Sequence, residues 1–400
     1  MSYVSCEVID SYNHIDQALE KEWDELVIAI RGSIYLTCAW SRIWWEFYGK
    51  AKTLRIFLYR CNGKLVGVMP IYIENIRIGL VKIRAARLVG AYNPPRVFDV
   101  PIIKEYAADV CNNLARHLTG HDRCDLISIG PVSDECEAKE ALFAAFEKKT
   151  DKPGIVRNAP FGVYTHFDLP DTFDVYMKSL SKSERSNRRY YEKLLAKEHD
   201  IKMLVIRDPD QLAEEIPQLS ALHATQWRPQ GRLGYLGAWP AAEAFNYRLA
   251  VELSRLGRTR LIKIMDGQTP IVYEYYYIFG DCGYWQLSAR AEGKEWDRFS
   301  LGATGAIVMI RSTMEEGIKR IEGGVSHYDY KTRLGAKDSS ISVLRIVARR
   351  PGSKLKYHLF NAFHNLYENL YFKLWYRRIQ HRLPSFFHRP IWVTYTRTIF

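Results

Sequence analysis

Acidic residues are in deficit in this 400-residue chain, which has 45 Asp and Glu against 57 Lys and Arg and a formal net charge of +12. No run of about 18 apolar residues occurs, so a membrane-spanning helix is not expected. Residues 1–10 lack the basic start of a secretory signal, which favours a cytoplasmic protein. The excess of positive charge favours an anionic partner: a phosphate-bearing cofactor, nucleic acid or an acidic membrane face.

Cysteine is sparse: the seven cysteines are scattered along the chain, and no two form a C-x-x-C motif. A disulfide framework and a zinc site are therefore not expected, and we predict no bound metal. The chain also lacks the G-x-G-x-x-G, Walker, G-x-S-x-G and H-E-x-x-H motifs. What it does have is a 47% apolar fraction, which supplies ample core, and a length that predicts two or three domains.

Two hairpin signals with similar surroundings indicate an internal duplication. Asn62-Gly63 separates apolar strand patterns at 54–59 and 65–73, and Asp266-Gly267 separates those at 260–265 and 270–279. Each pair leads on to a helical pattern, which predicts a duplicated α/β unit. Asp, Pro, Gly and Asn gather near 150–160 and mark a boundary. The predicted domains are residues 1–160, residues 161–350 and a C-terminal extension, 351–400.

The C-terminal extension differs in kind from the rest of the chain. Glu368 is its one acidic residue, against eight Lys and Arg. Leucines at 355, 359, 366 and 370 fall on one stripe at helical spacing. This pattern suits either adsorption of 352–400 to an anionic membrane surface or packing of an aromatic helix onto the domains. Both interpretations remain open.

Glu274 is the first candidate for catalysis. A strand period of two places it on one face with Val272 and Tyr276. Burial of a carboxylate there is energetically unfavourable, so the group is expected to be paired or to have a catalytic role. It could act as a general base, directly or through water. The alternative is a glutamate at the sheet surface, hydrogen-bonded by a neighbouring Tyr or Arg.

The sequence at Ser300–Gly302 is the candidate for anion binding. Ser300 is a good helix N-cap, and the small residues after it allow backbone N–H groups to approach a phosphate. The functional interpretation is a pyrophosphate cradle for a nucleotide-like cofactor. The alternative is an ordinary capped helix whose glycines permit close packing.

A basic helical segment at 178–193 is a second anion-binding candidate, with Arg185 and Arg189 on one face. A solvated charged surface is the alternative. His223 and Trp227 stand four residues apart on a helix, either as a substrate wall or as a packed pair.

Asp329, Tyr330 and Lys331 are predicted on a strand, with Asp329 and Lys331 on the same face. They could donate protons or hold an acidic group, or they could form a strand-edge salt bridge.

Several segments of residues 20–350 are informative when they are taken in order. They are Trp23…Leu26, Ala39-Trp40…Trp44-Trp45, Gly63-Lys64-Leu65-Val66-Gly67-Val68-Met69-Pro70, Leu180-Ser181-Lys182…Arg185…Asn187-Arg188-Arg189, Leu222-His223…Trp227…Gly231, Asp266-Gly267, Phe299-Ser300-Leu301-Gly302 and Tyr328-Asp329-Tyr330-Lys331. Together they resemble the bacterial acetyltransferase family associated with cellulose and exopolysaccharide synthesis (the CelD/BcsL type). That family belongs to the GNAT superfamily and is similar in layout to the FemAB-type aminoacyl transferases.

The resemblance implies an α/β fold of two tandem GNAT-like domains, with mixed central sheets flanked by helices. It implies transfer of an acyl group, acetyl above all, from acyl-CoA or an acyl carrier protein to an amine or hydroxyl of an envelope or polysaccharide precursor. The cofactor pyrophosphate maps onto Ser300 and Gly302. The GNAT signature is imperfect there, because Phe299 and Thr304 occupy two of its slots.

The resemblance also implies roles for individual residues. Glu274 is the expected base, and Tyr284 or Tyr330 protonates the leaving thiolate. The acyl chain lies along the strand that contains Tyr275, which we expect to contact the cofactor. The residues expected to line an acceptor cleft between the domains are Arg185, Arg188, His223, Trp227, Asp329 and Lys331.

Two other functions remain open at this stage. One is a Fem-like transferase that takes its acyl group from aminoacyl-tRNA, which predicts salt-sensitive binding of nucleic acid. The other is a non-catalytic scaffold that is recruited to the inner face of the cell membrane. Nucleic acid is otherwise not an expected partner.

Overall fold

A computed structural model describes residues 4–91, 96, 99–147, 154–227, 234–237, 241–379 and 382–384. The chain divides into two compact units. Within the described residues, the first unit comprises the segments up to Gly162 together with Ser340–Ile379, and the second comprises those of Val163–Ser339 together with residues 382–384. Twelve strands and twelve α-helices are described in these segments, and none of the described helices is long and apolar enough to cross a membrane.

The first unit contains a mixed sheet in the order β1-β2-β3-β4-β5-β12. Its strands are β1 Val4–Ile9, β2 Thr53–Cys61, β3 Lys64–Ile78, β4 Val81–Leu88, β5 Leu126–Ser133 and β12 Lys337–Ala348. The β4–β5 pair is parallel over three residues only, and the other described pairs are antiparallel. Its helices are α1 Gln17–Ala29, α2 Cys38–Tyr48, α3 Ala107–Arg116, α4 Lys139–Glu147 and α12 Ser353–Tyr367, with a π-helix at Glu368–Ile379.

The second unit repeats this pairing pattern in the order β7-β8-β9-β10-β11-β6. Its strands are β6 Gly154–Asp168, which begins in the first unit, β7 Ile201–Ile206, β8 Thr259–Asp266, β9 Thr269–Phe279, β10 Cys282–Arg290 and β11 Arg320–Val325. Again one central pair, β10–β11, is parallel over three residues, and the described others are antiparallel. The sixth strand of each sheet comes from a distant part of the chain.

Helices of the second unit pack on its sheet. They are α5 Phe173–Ser179, α6 Lys182–Glu198, α7 Pro209–Trp227, α8 Gly234–Gly237, α9 Ala242–Arg255, α10 Leu301–Glu315 and α11 Asp329–Arg333. The core of this unit places Val272 and Tyr276 of β9 against Ile310 of α10, together with Trp285 of β10. The predicted mixed α/β architecture is therefore confirmed.

Two local predictions are wrong. The basic helical segment expected at 178–193 is divided between two helices, because Leu180 is extended and the Ser181 hydroxyl caps α6 at the Glu184 N–H. Residues 154–160, where a boundary is expected, lie in strand β6, and the change of unit follows between Gly162 and Val163. Asp329–Lys331, expected on a strand, lie on α11. Residues 150–153 of the expected boundary, Gly231 and residues 385–400 lie outside the described part of the chain.

Candidate active site

Glu274 lies on the face of β9 that α10 covers. A Cβ atom placed on Gly305 of α10 would lie 2.7 Å from Glu274 Oε1 and 2.6 Å from Val272 Cγ1. Tyr276 contacts the same helix through the Ser312 hydroxyl at 3.4 Å. The predicted common face of Val272, Glu274 and Tyr276 is thus confirmed. The glycine is needed because any side chain there would displace the carboxylate.

The Glu274 carboxyl group is fully buried and only half satisfied. Its Oε2 accepts hydrogen bonds from Trp285 Nε1 at 2.9 Å and from Ser288 Oγ at 2.5 Å. Its Oε1 has no hydrogen-bond partner among the residues that the structure describes. Burial raises the pKa of Glu274 to about 8, against the opposing effects of the two hydrogen bonds and of the Lys331 charge. Such a carboxylate is a proton acceptor tuned to mildly alkaline pH.

Lys331 supplies the positive charge beside Glu274. It is buried, its ammonium donates to the Gly323 carbonyl, and Nζ lies 4.6 Å from the ring centroids of both Trp285 and Tyr328. Burial lowers the pKa of Lys331 to about 8, while the Glu274 charge acts in the opposite direction. The two groups therefore titrate in the same pH range and influence one another.

Tyr330, next to Lys331 on α11, also faces this cluster. Its ring meets Trp285 edge-on, with 6.2 Å between centroids, and the residue is 39% exposed. Burial, with the charge of Glu274 as a further cause, raises the pKa of the Tyr330 hydroxyl well above its usual range. Tyr330 is therefore a protonated phenol within reach of solvent.

Tyr284 and Tyr275 lie on the opposite face of the sheet. In the β9–β10 register Tyr284 pairs with Tyr277, whose hydroxyl meets that of Tyr275. Glu274 pairs instead with Ser288, on the α10 face. The structure thus brings Tyr330 to Glu274 and leaves Tyr284 and Tyr275 away from it.

Beyond Tyr284 the central parallel pair of strands separates. β10 pairs with β11 only over Cys282–Tyr284, and among the described residues no β11 residue pairs with the remainder of β10. A bulge between Trp285 and Leu287 also interrupts the β9–β10 register. The segment from Trp285 to Arg290 therefore lies beyond the pairing with β11, where the two parallel strands diverge.

The start of α10 combines the helix dipole with two arginines. No acidic residue lies in its first turn, and the Ser300 carbonyl accepts from the N–H groups of Ala303 and Thr304. Ser300 has φ 52° and does not cap the helix with its side chain, since its hydroxyl accepts from Arg188 at 3.3 Å. A Cβ atom on Gly302 would lie 3.1 Å from an Arg290 guanidinium nitrogen.

Each of these arginines also has an acidic neighbour. Arg188 contacts Glu184 at 2.8 Å, and Arg290 contacts Glu292 at 3.1 Å. The Arg290 charge also reaches the site of proton transfer, since it acts to lower the pKa of Tyr330. Arg290 thus links the helix start to the Glu274 cluster.

His223 and Arg185 make structural contacts. His223 is buried, its Nδ1 lies 3.1 Å from the Ser288 carbonyl, and its Nε2 accepts from the Tyr235 N–H at 3.1 Å. Burial lowers the pKa of His223, so the ring is neutral and both nitrogens are engaged. Arg185 donates to the Lys178 carbonyl at the end of α5. Their predicted contact with substrate stays a prediction.

Trp227 and Asp329 lie at the margin of the candidate site. The Trp227 ring is 6.0 Å from that of His223. Asp329 is exposed and bonds His327 at 2.9 Å, and His327 also meets Asp338. Asp329 therefore holds the first turn of α11 through His327, and it does not lie on a strand as predicted.

One group in the first unit has ligand-type side chains close together, namely His117, His121 and Asp122. The Asp122 carboxylate already lies near two guanidinium groups, those of Arg55 at 3.4 Å and Arg84 at 3.9 Å. These two positive charges balance the carboxylate without a metal ion. The expectation of no metal stays a prediction.

Ser288, Trp285 and Arg290 were not singled out by sequence reasoning. Strict alternation along β10 would place Trp285 and Ser288 on opposite faces. The bulge adds one residue and brings both to Glu274. The signal for Arg290 was its position at the end of a strand that precedes a small-residue helix start.

Comparison with known proteins gives a family match for part of the chain and likenesses in fold. Residues 182–332 match the family model described as "Acetyltransferase (GNAT) domain". The structure of FemX aligns with a TM-score of 0.63 at 11% identity, over 87% of this chain and 99% of that one. A conserved protein of unknown function from Bacteroides thetaiotaomicron aligns with a TM-score of 0.52 at 9% identity, over 85% and 100%. These two likenesses show the fold alone.

No curated protein sequence matches the chain. The CelD/BcsL resemblance is accordingly borne out only at the level of the GNAT superfamily. Residues 182–332 contain Glu274, Ser288, Arg290, the α10 start and Lys331. This segment is a GNAT acetyltransferase domain, and the chain is an acyltransferase.

Proposed function

We propose that the second unit transfers an acyl group, acetyl above all, from acyl-CoA to an amine or hydroxyl acceptor. The acceptor class that fits the CelD/BcsL resemblance is an envelope or exopolysaccharide precursor. The observation that carries the proposal is the buried Glu274 carboxyl, with its pKa of about 8, beside the part of β10 that lies beyond its pairing with β11.

The donor's diphosphate is placed at the start of α10. Backbone N–H groups and the helix dipole favour an anion there, and Arg188 and Arg290 add positive charge. The equivalent helix of the first unit differs, because α3 has Asp109 in its first turn and Glu105 just before it. This contrast supports one donor site per chain, in the second unit.

The pantetheine and thioester are placed along β10, beyond its pairing with β11. An extended amide chain can lie beside a strand and exchange hydrogen bonds with its backbone, as an added strand would. The Ser288 carbonyl is excluded from that exchange because His223 occupies it. The thioester then lies near Ser288 and Tyr330.

Proton transfer is assigned to Glu274 acting through Ser288. An acceptor cannot touch the fully buried Glu274 carboxylate, whereas Ser288 is half-buried and donates to it. The acceptor attacks the thioester carbonyl, and its proton passes to Ser288 Oγ as that hydroxyl gives its own proton to Glu274. When the C–S bond breaks, Tyr330 donates a proton to the thiolate. In its charged form, Lys331 stabilises the ionised carboxylate of Glu274.

A second candidate donor is aminoacyl-tRNA. The basic surface of α6, with Lys182, Arg189 and Lys193 exposed, favours it. Binding through that surface would weaken steeply with salt concentration, since phosphate contacts release counterions. Acyl-CoA binding at one helix start would change far less.

The test is a transfer assay with the full chain, acetyl-CoA and a panel of amino sugars and hydroxylated acceptors, read as acceptor-dependent release of CoA. Calorimetric titration with CoA, acyl-CoAs and acyl carrier protein identifies the donor. Saturable CoA binding with acceptor-dependent turnover supports the proposal. Binding of tRNA without binding of CoA contradicts it and favours the second candidate.

A further inference from the structure

The helical segment 353–379 is held to the first unit by one of its faces. Phe360 is fully buried and packs with Ile83 and Leu126. Asp125 holds the start of the segment, because its two carboxylate oxygens accept from Ser353 Oγ at 3.2 Å and from Lys356 Nζ at 2.8 Å. This docking fixes the orientation of the segment and leaves another face outward.

The outward face has a row of leucines. At about 100° per residue, Leu366 lies roughly 180° around the helix from the buried Tyr357. These leucines are called the leucine face: Leu355 (64% exposed), Leu366 (51%), Leu370 (55%) and Leu374 (44%). Large apolar side chains exposed in a row are unusual in a soluble protein and mark an interaction surface.

The exposed charged side chains described along the segment 353–379 are all positive. Lys354, Lys373 and Arg378 are exposed along the segment. Glu368 is the one acidic residue between 351 and the end of the sequence, so 369–400 contains none. Positive charge beside an apolar row complements an anionic, apolar interface.

We propose that the leucine face inserts into the interfacial layer of an anionic lipid bilayer, with the segment 353–379 lying in the plane of the membrane. The leucines supply apolar burial, and the lysines and arginine contact the lipid phosphates. The inference is independent of the acyl donor, since it uses none of the Glu274 cluster.

The test is co-sedimentation of the full chain with vesicles of phosphatidylcholine, with and without phosphatidylglycerol. The test variant is the triple change Leu366→Ser, Leu370→Ser and Leu374→Ser. The matched control is Leu80→Ser, because Leu80 is a fully exposed leucine in the β3–β4 turn. Circular dichroism verifies that all of them fold, which is expected since the substituted side chains are exposed.

We expect wild type and Leu80→Ser to bind vesicles that contain phosphatidylglycerol, more weakly as salt rises. The triple variant should lose at least about tenfold in partitioning, as removal of several buried methylene groups requires. Equal binding by the triple variant and wild type overturns the proposal. The proposal is also overturned if wild type does not bind vesicles but forms a dimer, and the triple variant is a monomer. That result would assign the leucine face to contact with a second copy of the chain.

Discussion

Ser288 donates a 2.5 Å hydrogen bond to Glu274 from the neighbouring strand, directly opposite it in the β9–β10 register. The bulge after Trp285 is what places the serine on this face. The pair connects a buried proton acceptor to a side chain that a substrate can reach.

Replacing either member of this pair should abolish most of the transfer activity. Glu274→Gln should reduce kcat/KM by about 10²–10⁴, the usual contribution of a general base. Ser288→Ala should cause a loss of similar order, because the buried carboxylate then has no contact with the acceptor. The control is Ser312→Ala, a buried serine of α10 that bonds Tyr276 and lies outside the relay. Full activity of Ser288→Ala would remove the serine from the mechanism.

Activity should rise with pH through about 8. The base works only when Glu274 is ionised, and its pKa is raised to about 8. Lys331→Met should move this limb to higher pH, since the ammonium charge opposes the rise in the pKa of Glu274. The measurement is kcat/KM against pH for both proteins. A limb that stays in place, or moves to lower pH, would argue against coupling of the two groups.

Stability should depend on pH through Glu274. Its folded pKa lies above its ordinary value of 4.5, so its contribution is fully present below pH 4.5 and is lost as pH rises to about 8. Lys331 acts in a higher window, because its pKa falls from 10.5 to about 8. In the Glu274→Gln variant, the free energy of unfolding should therefore change less with pH between pH 4.5 and 8. Denaturant unfolding at several pH values measures this, and equal slopes for both proteins would contradict it.

Gly305 and Gly302 should differ sharply in tolerance to alanine. A Cβ on Gly305 meets Val272 and the Glu274 carboxylate at under 3 Å, and overpacking of this kind costs about 1–3 kcal/mol. A Cβ on Gly302 meets only the mobile end of Arg290. Gly302→Ala should therefore keep wild-type stability in denaturant unfolding, whereas Gly305→Ala should not. Equal stabilities would mean that α10 is not packed against β9 as described.

The hairpins and most helices could be predicted from sequence because their signals are local. Asn62-Gly63 and Asp266-Gly267 fix two turns by backbone conformation alone. Tyr330 and Lys331 show where local patterns fail, since a helix of five residues has too little periodicity to distinguish it from a strand.

The chemistry of the site was predictable only in part. Strand alternation placed Glu274 correctly, because β9 pairs with β8 without a register shift from Val272 to Tyr277. The same rule could not find Ser288, because a bulge changes the face by one residue without a clear mark in the sequence. Tyr284, which the family resemblance implied as a proton donor at the site, lies on the far face of the sheet.

The central claim is that the start of α10 binds the diphosphate of an acyl-CoA, and calorimetric titration of the full chain with acetyl-CoA tests it most directly. Wild type should bind one molecule per chain, and Arg290→Ala should weaken binding about tenfold, as loss of a charge-assisted hydrogen bond does. The matched control is Arg255→Ala, an exposed arginine of α9 that pairs with Glu252. A wild type that binds neither acetyl-CoA nor CoA, or an Arg290→Ala variant that binds as tightly as Arg255→Ala, would contradict the account.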